Sequence, residues 1–294
     1  MSKDLVETVR SSGRRHPAVT WLIRALFAIL LIPVVVATFL YTQQHKMIYH
    51  PRPYLPQELQ GLSGNVVELE FTTGSGRQSA FYMSRRGTGQ LPDRLWIAFC
   101  GNASLALDWR YFVQDYPNAS DAFLLIDYPG YGKSHGYATI ESTRAAAEQA
   151  LSALAKALRT DESQLEPRLN VIGHSLGAAV ALDFATHHPV QRIVAFAPFT
   201  SLREEAATVF GGLLSRLVVE NYDNRARLKE LARRSPGVRV AVVHGTDDEI
   251  IPFRMGQTLA AEFPGMVHFF PVERGDHVSV VELSRKQVID WMTR

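Results

Sequence analysis

In this 294-residue chain, Gly173-His174-Ser175-Leu176-Gly177 has residue types and spacing that could do chemistry. It lies between an apolar run, residues 169–172, and an Ala-rich segment of helical spacing, residues 176–187. A G-x-S-x-G pattern between a strand and a helix describes a sharp turn that lifts a serine hydroxyl off the end of a sheet. The glycines have a steric reason: side chains there would collide where the strand reverses, and the serine itself is held in an unfavourable backbone conformation. With Gly and Ser each at roughly 7% of residues, a chain of this length holds about 0.1 such matches by chance. The flanking strand and helix sharpen that signal, and Ser175 is the expected nucleophile. The competing reading is a glycine-rich turn with an inert serine.

A serine hydroxyl is a poor nucleophile at neutral pH, so it needs a base, and the base needs an orienting acid. Downstream, an apolar strand ends at His244-Gly245 and a loop follows with three carboxylates, Asp247, Asp248 and Glu249. Further on, Arg274-Gly275-Asp276-His277 lies between a strand at 267–272 and a helix at 280–292. The chain has ten histidines, so a histidine alone carries little information. His45, His50, His187 and His188 read as surface or interfacial residues. His277 stands out because it occupies the loop after the last strand. The order serine, acid, histidine is then complete. The developing oxyanion needs two donors, and the N–H of Leu176, directly after the serine at a helix N-terminus, is one.

These residues resemble the α/β-hydrolase superfamily over roughly residues 65–294. The loop Gly245-Thr246-Asp247-Asp248-Glu249-Ile250-Ile251-Pro252 is similar to the G-x-x-D-x-x-[IV]-P pattern of that superfamily, which selects Asp248 as the acid. Asp247 is then a loop or cap acceptor ahead of the helix near Pro252. Gly101-Asn102-Ala103 after the third strand resembles an H-G-N-A loop, and that match implies the Asn102 N–H as the second oxyanion donor. Cys100 stands where the family commonly has a loop-bracing His. Asp127-Tyr128-Pro129-Gly130-Tyr131-Gly132-Lys133-Ser134-His135-Gly136 resembles the motif after the fourth strand in membrane-anchored members labelled serine aminopeptidase-like, a group that includes esterases, lipases and protein depalmitoylases. A phosphate-binding loop reading of the same stretch fails, because the glycine needed five residues before Gly132 is Asp127.

The elements that must position these groups alternate. Strands are predicted near 66–71, 79–84, 95–100, 123–127, 169–173, 192–197, 239–244 and 267–272. Helices are predicted near 106–114, 139–159, 176–187, 252–262 and 280–293. This alternation predicts an α/β fold with an eight-stranded, mostly parallel sheet flanked by helices. Residues 202–235 have no place in the minimal fold. Val209, Phe210, Leu213, Leu214, Leu217 and Val218 recur at three- and four-residue spacing, as on an amphipathic helix, although Gly211-Gly212 weakens it. Two readings stay open: a small cap lining an acyl pocket, or a helix packed on the sheet edge.

The N-terminus is expected to be a membrane anchor. Residues 25–41 are uncharged and apolar, and the pattern reaches back to Val19 apart from Arg24. Arg24 can snorkel and Pro33 is tolerable in a membrane helix. Arg10, Arg14 and Arg15 precede the segment and only Lys46 and Arg52 closely follow it, so the positive-inside rule keeps residues 1–18 cytoplasmic and exports the rest. The expected organisation is a tail 1–18, a transmembrane anchor 19–41, a linker 42–64 and a hydrolase domain 65–294. A cleaved signal peptide or a re-entrant segment is the alternative.

Net charge is +2, which points away from nucleic acid. The single cysteine excludes an internal disulfide, and Cys100 reads as a small buried residue. No Cys/His cluster has metal-ligand spacing, so no metal or cofactor is expected. The expected function is a single-pass serine hydrolase cleaving carboxylic esters or thioesters, of lipids or acyl-proteins, outside the cytoplasm and in the periplasm of a Gram-negative host. A serine peptidase and a non-enzymatic anchored binding module are the alternatives.

Overall fold

The computed structural model describes residues 17–60, 62 and 64–294, and the chain divides into two units at Gln44/His45. The basic tail with Arg10, Arg14 and Arg15 lies outside the described residues, whereas Arg24 is described and exposed.

Helix α1 spans Pro17–Ile48 and is long and apolar enough to cross a membrane, a property it shares with a signal sequence. Most of its described side chains are exposed, among them Trp21, Leu22 and Phe27. Two of its polar groups are internally satisfied: the Thr38 hydroxyl donates to the Val34 carbonyl at 2.8 Å and the Thr42 hydroxyl to the Thr38 carbonyl at 2.9 Å. In hydrocarbon such groups have no water to turn to.

The second unit holds an eight-stranded sheet. Its strands are β1 (Val66–Thr73), β2 (Gly76–Ser84), β3 (Leu95–Phe99), β4 (Ala122–Ile126), β5 (Leu169–His174), β6 (Arg192–Phe196), β7 (Arg239–Gly245) and β8 (Val267–Val272). Their order is β1-β2-β4-β3-β5-β6-β7-β8, with β2 antiparallel to both neighbours and all other pairs parallel. The central strands β3 and β4 are buried at every position, which is why they read as continuous apolar runs rather than alternating ones.

The helices of this unit are α2 (Arg110–Gln114), α3 (Ile140–Ala157), α4 (Glu162–Leu165), α5 (Leu176–Ala185), α6 (Leu202–Leu214), α7 (Asn224–Arg234), α8 (Phe253–Glu262) and α9 (Val280–Thr293). The start of α3 is set by a reciprocal cap, in which the Thr139 hydroxyl accepts from the Ser142 N–H and the Ser142 hydroxyl accepts from the Thr139 N–H. Every residue of α5 is buried, because its Gly and Ala residues let the backbone lie close on the sheet.

Two features differ from the expectation. Within the expected linker 42–64, the described residues from His45 onward group with the second unit. Helix α1 runs to Ile48, the second unit begins at His45, and His50, Arg52 and Tyr54 bond to loops of that unit. The sequence signal for a linker was its prolines, and Pro51 and Pro53 instead keep an extended segment extended. The 202–235 region is also not one amphipathic helix. Gly211 at φ 79° breaks α6, no α6 residue is buried, and Val209 and Leu213 are strongly exposed. Helix α7 follows, a helix the sequence pattern did not single out. Asp223 caps it by accepting from the Ala226 N–H, and buried Asp183 of α5 receives both Arg227 of α7 (2.7 Å) and Arg144 of α3 (2.8 Å). Removing one partner from such a buried pair is costly, so the three helices are held in one arrangement.

Candidate active site

Parallel strands β5, β6, β7 and β8 are adjacent, so their C-terminal ends lie along one edge of the sheet. The loops at that edge carry Ser175, Asp248 and His277. Residues about a hundred positions apart meet there because topology brings them together.

Ser175 sits between β5 and α5 at φ 56°, ψ −119°, a left-handed conformation that a side chain rarely adopts. The two glycines of the turn are required by contact. A Cβ on Gly173 would lie 2.1 Å from the Gly177 carbonyl oxygen, and one on Gly177 would lie 2.2 Å from that of Phe99 on β3.

The three side chains form a continuous hydrogen-bonded line. His277 Nε2 lies 3.0 Å from Ser175 Oγ, and His277 Nδ1 lies 2.8 Å from Asp248 Oδ2. Asp248 Oδ1 accepts from the N–H groups of Ile250 (2.9 Å) and Ile251 (2.8 Å), which fixes the carboxylate plane. Burial pushes the Asp248 carboxyl up, but hydrogen bonds from His244, His277 and the Ile251 N–H outweigh it and hold the group well below the usual carboxylate range. Asp247 is different: it is exposed, accepts from the Thr246 hydroxyl and does not reach His277. The structure therefore joins Asp248, not Asp247, to the histidine.

Two further histidines surround this line, and the sequence reading passed over both. His174 Nε2 lies 2.7 Å from the His277 carbonyl oxygen, and the two rings are 4.9 Å apart. Burial, with the His277 ring beside it, pushes His174 down to about 4, so near neutral pH the ring is uncharged and its Nε2–H donates to that carbonyl. His244 Nε2 lies 2.9 Å from the Ile251 carbonyl oxygen and 3.4 Å from Asp248 Oδ2. Their positions inside the elbow and at the end of β7 were the available signal.

The loop after β3 completes the edge. Asn102 and Ser175 line the same cleft of about 550 Å³, whose apolar wall includes Trp109, Ile250 and Val281. The residues lining it come from other segments, and Glu205 of α6 lies near enough to Asp248 and His277 for their charges to act on its carboxyl. The N–H groups of Leu176 and Asn102 have no protein acceptor among the described residues. Ala103, next in the loop, has φ 59° without being glycine. Burial raises the Cys100 thiol far above its ordinary range, which keeps it protonated and unsuited to attack. Its carbonyl oxygen accepts from the Tyr128 hydroxyl at 2.6 Å, and the Tyr131 hydroxyl donates to Asn102 Oδ1 at 3.1 Å. Both tyrosines belong to the Asp127–Gly136 motif, so that motif braces the loop. His50, expected to be a surface or interfacial residue, is exposed and also bonds to Asn102.

Residues 97–239 match the family model described as Hydrolase_4: Serine aminopeptidase, S33. An uncharacterized protein of Mycobacterium tuberculosis (strain CDC 1551 / Oshkosh) is 30% identical over 249 residues, 81% of this chain and 83% of the relative. Among solved structures, an alpha-beta hydrolase from Vibrio vulnificus superposes with a TM-score of 0.63 at 17% identity, covering 87% of this chain and 91% of that one. The Pyrococcus furiosus esterase Pf2001 superposes with a TM-score of 0.60 at 16% identity, covering 84% and 97%. The chain belongs to the α/β-hydrolase superfamily, which makes it a hydrolase by family.

Proposed function

We propose that this protein is a serine hydrolase that cleaves carboxylic esters or thioesters through an acyl-enzyme. The observation that carries this reading is the Ser175–His277–Asp248 line, with contacts of 3.0 and 2.8 Å at the mouth of a cleft. Ser175 Oγ attacks the acyl carbonyl carbon while His277 Nε2 takes its proton. The ionised Asp248 holds the Nδ1–H tautomer and stabilises the imidazolium. The Leu176 and Asn102 N–H groups receive the oxyanion. The imidazolium returns its proton to the departing alcohol or thiol, and water, deprotonated by the same ring, releases the acid.

The cleft wall of Trp109, Ile250 and Val281 favours an acyl group over a charged one. The esterase among the structural neighbours is consistent with this choice. A peptidase is the second reading, favoured by the description of the matched family model. A fluorophosphonate probe should label the full-length protein, and p-nitrophenyl esters should be turned over faster than aminoacyl p-nitroanilides. Faster cleavage of the anilides would overturn the ester reading.

We further propose that α1 is an uncleaved single-pass anchor with residues 1–18 cytoplasmic and the hydrolase domain extracytoplasmic, periplasmic in a Gram-negative host. The charge asymmetry about the apolar run supports this orientation. A C-terminal alkaline phosphatase fusion should be active and a C-terminal green fluorescent protein fusion, exported by the general secretory route, dark. The opposite pair would place the domain in the cytoplasm and direct the search to inner-leaflet lipids or cytosolic acyl-proteins.

A further inference from the structure

The segment that follows α1 bonds to the loop proposed to hold the oxyanion. The His50 N–H donates to Asn102 Oδ1 at 2.8 Å and to the Tyr131 hydroxyl oxygen at 2.9 Å. The Ala103 N–H and the Tyr131 hydroxyl also donate to Asn102 Oδ1, at 3.0 and 3.1 Å. Three donors converge on that atom, so it must be the oxygen of the carboxamide, and the amide nitrogen lies at the other end. There Asn102 Nδ2 meets His50 Nδ1 at 2.9 Å. An amide nitrogen only donates, so His50 Nδ1 accepts and its proton sits on Nε2. Both ends of the Asn102 carboxamide are thereby engaged, one of them by the His50 ring.

The next residue is held from the same segment. Arg52 Nε–H donates to the Ala103 carbonyl oxygen at 3.0 Å, and Arg52 is itself paired with Glu58 at 3.0 Å and Asp108 at 3.4 Å. Ala103, left-handed at φ 59°, is therefore pinned at its N–H by Asn102 and at its carbonyl by Arg52. A non-glycine residue in that region persists only where its surroundings over-determine it. The segment is anchored in turn: the Arg52 carbonyl accepts from the Gly132 N–H at 2.9 Å, and the Tyr54 hydroxyl donates to buried Asp127 at 3.1 Å.

We propose that His50 is a positioning residue for the hydrolytic reaction: its ring orients the Asn102 carboxamide and, together with the Arg52 contact to Ala103, holds the loop so that the Asn102 N–H meets the oxyanion. This rests on the serine-hydrolase reading above. The segment leaving the apolar helix is then part of the catalytic apparatus and not a spacer. The effect belongs to the transition state, since the oxyanion forms only there.

The test uses the full-length protein in detergent. His50→Ala should lower kcat on a p-nitrophenyl ester about 10-fold, short of the ~10²–10³ lost when an oxyanion donor is removed outright. KM should stay within about twofold, and affinity for a trifluoromethyl ketone, whose adduct carries an oxyanion, should fall by the same factor as kcat/KM. His50→Asn offers an amide oxygen where Nδ1 stood and should recover most of the loss. A merely structural role would lower thermal stability without the tracking of ketone affinity or the difference between Asn and Ala. If the wild type labels and turns over ester while His50→Ala keeps its kcat, or if Asn is no better than Ala, the proposal is overturned alone. If the wild type neither labels with fluorophosphonate nor turns over any ester, the functional reading fails and takes the proposal with it.

Discussion

Ser175→Ala is expected to abolish fluorophosphonate labelling and to lower ester turnover by up to about 10⁶-fold, the scale seen when the nucleophile of a serine hydrolase is removed. The fold should survive. Serine and alanine both carry a Cβ, so the strained φ of 56° costs each of them alike, and Gly173 and Gly177 still admit the close approach of β3 and α5. The lost contact is the 3.0 Å bond to His277, which is partly exposed and can turn to water. Circular dichroism and thermal unfolding in detergent should match the wild type. An alanine variant that labels fully would remove Ser175 from the mechanism.

Asp248→Asn should lower kcat by roughly 10⁴, the loss found when a triad acid is neutralised elsewhere. The surroundings of this carboxylate say why a rotated amide gives no escape. The Ile250 and Ile251 N–H groups both donate to one oxygen, so the amide oxygen must occupy that end. The amide nitrogen is then forced to the position of Oδ2, facing His277 Nδ1 at about the observed 2.8 Å. A donor there requires Nδ1 to accept, which moves the ring proton to Nε2, where it faces Ser175 and cannot receive its proton. Asp247→Asn should change kcat by less than about threefold, because among the described residues its exposed side chain meets the Thr246 hydroxyl and not the catalytic line. Steady-state kinetics on one ester for the two variants decides the point, and reversed losses would transfer the acid's role to Asp247.

The elbow was legible because its demands are local: a strand, a turn that excludes Cβ atoms on either side of the serine, and a helix. The distinction between Asp247 and Asp248 was legible only through resemblance to a pattern, since nothing in their own neighbourhood separates two adjacent carboxylates. The structure separates them by burial and by which one faces the last loop. His174 and His244 lay in plain view within recognised stretches and were passed over. A histidine beside a motif has no periodicity of its own, and its partners, the His277 carbonyl and Asp248, are supplied by other strands. Helix α7 was missed because its only fully buried apolar side chains are Leu228 and Leu231, too few to mark a stripe.

By itself the sequence determined the class of fold and the stretch of chain that could react. Alternating apolar runs and amphipathic segments specify a parallel sheet covered by helices, and local backbone geometry specifies the elbow. Only the tertiary structure decided which distant groups meet, because the parallel order of β5 to β8 gathers loops that sequence distance keeps apart. It also decided that the segment after the apolar helix belongs to the second unit. His50, Arg52 and Tyr54 carry no pattern. Their roles come from hydrogen bonds to Asn102, Ala103 and Asp127, fifty-one to seventy-three positions away, and such pairings are set by the packing of the chain and not by any spacing within it.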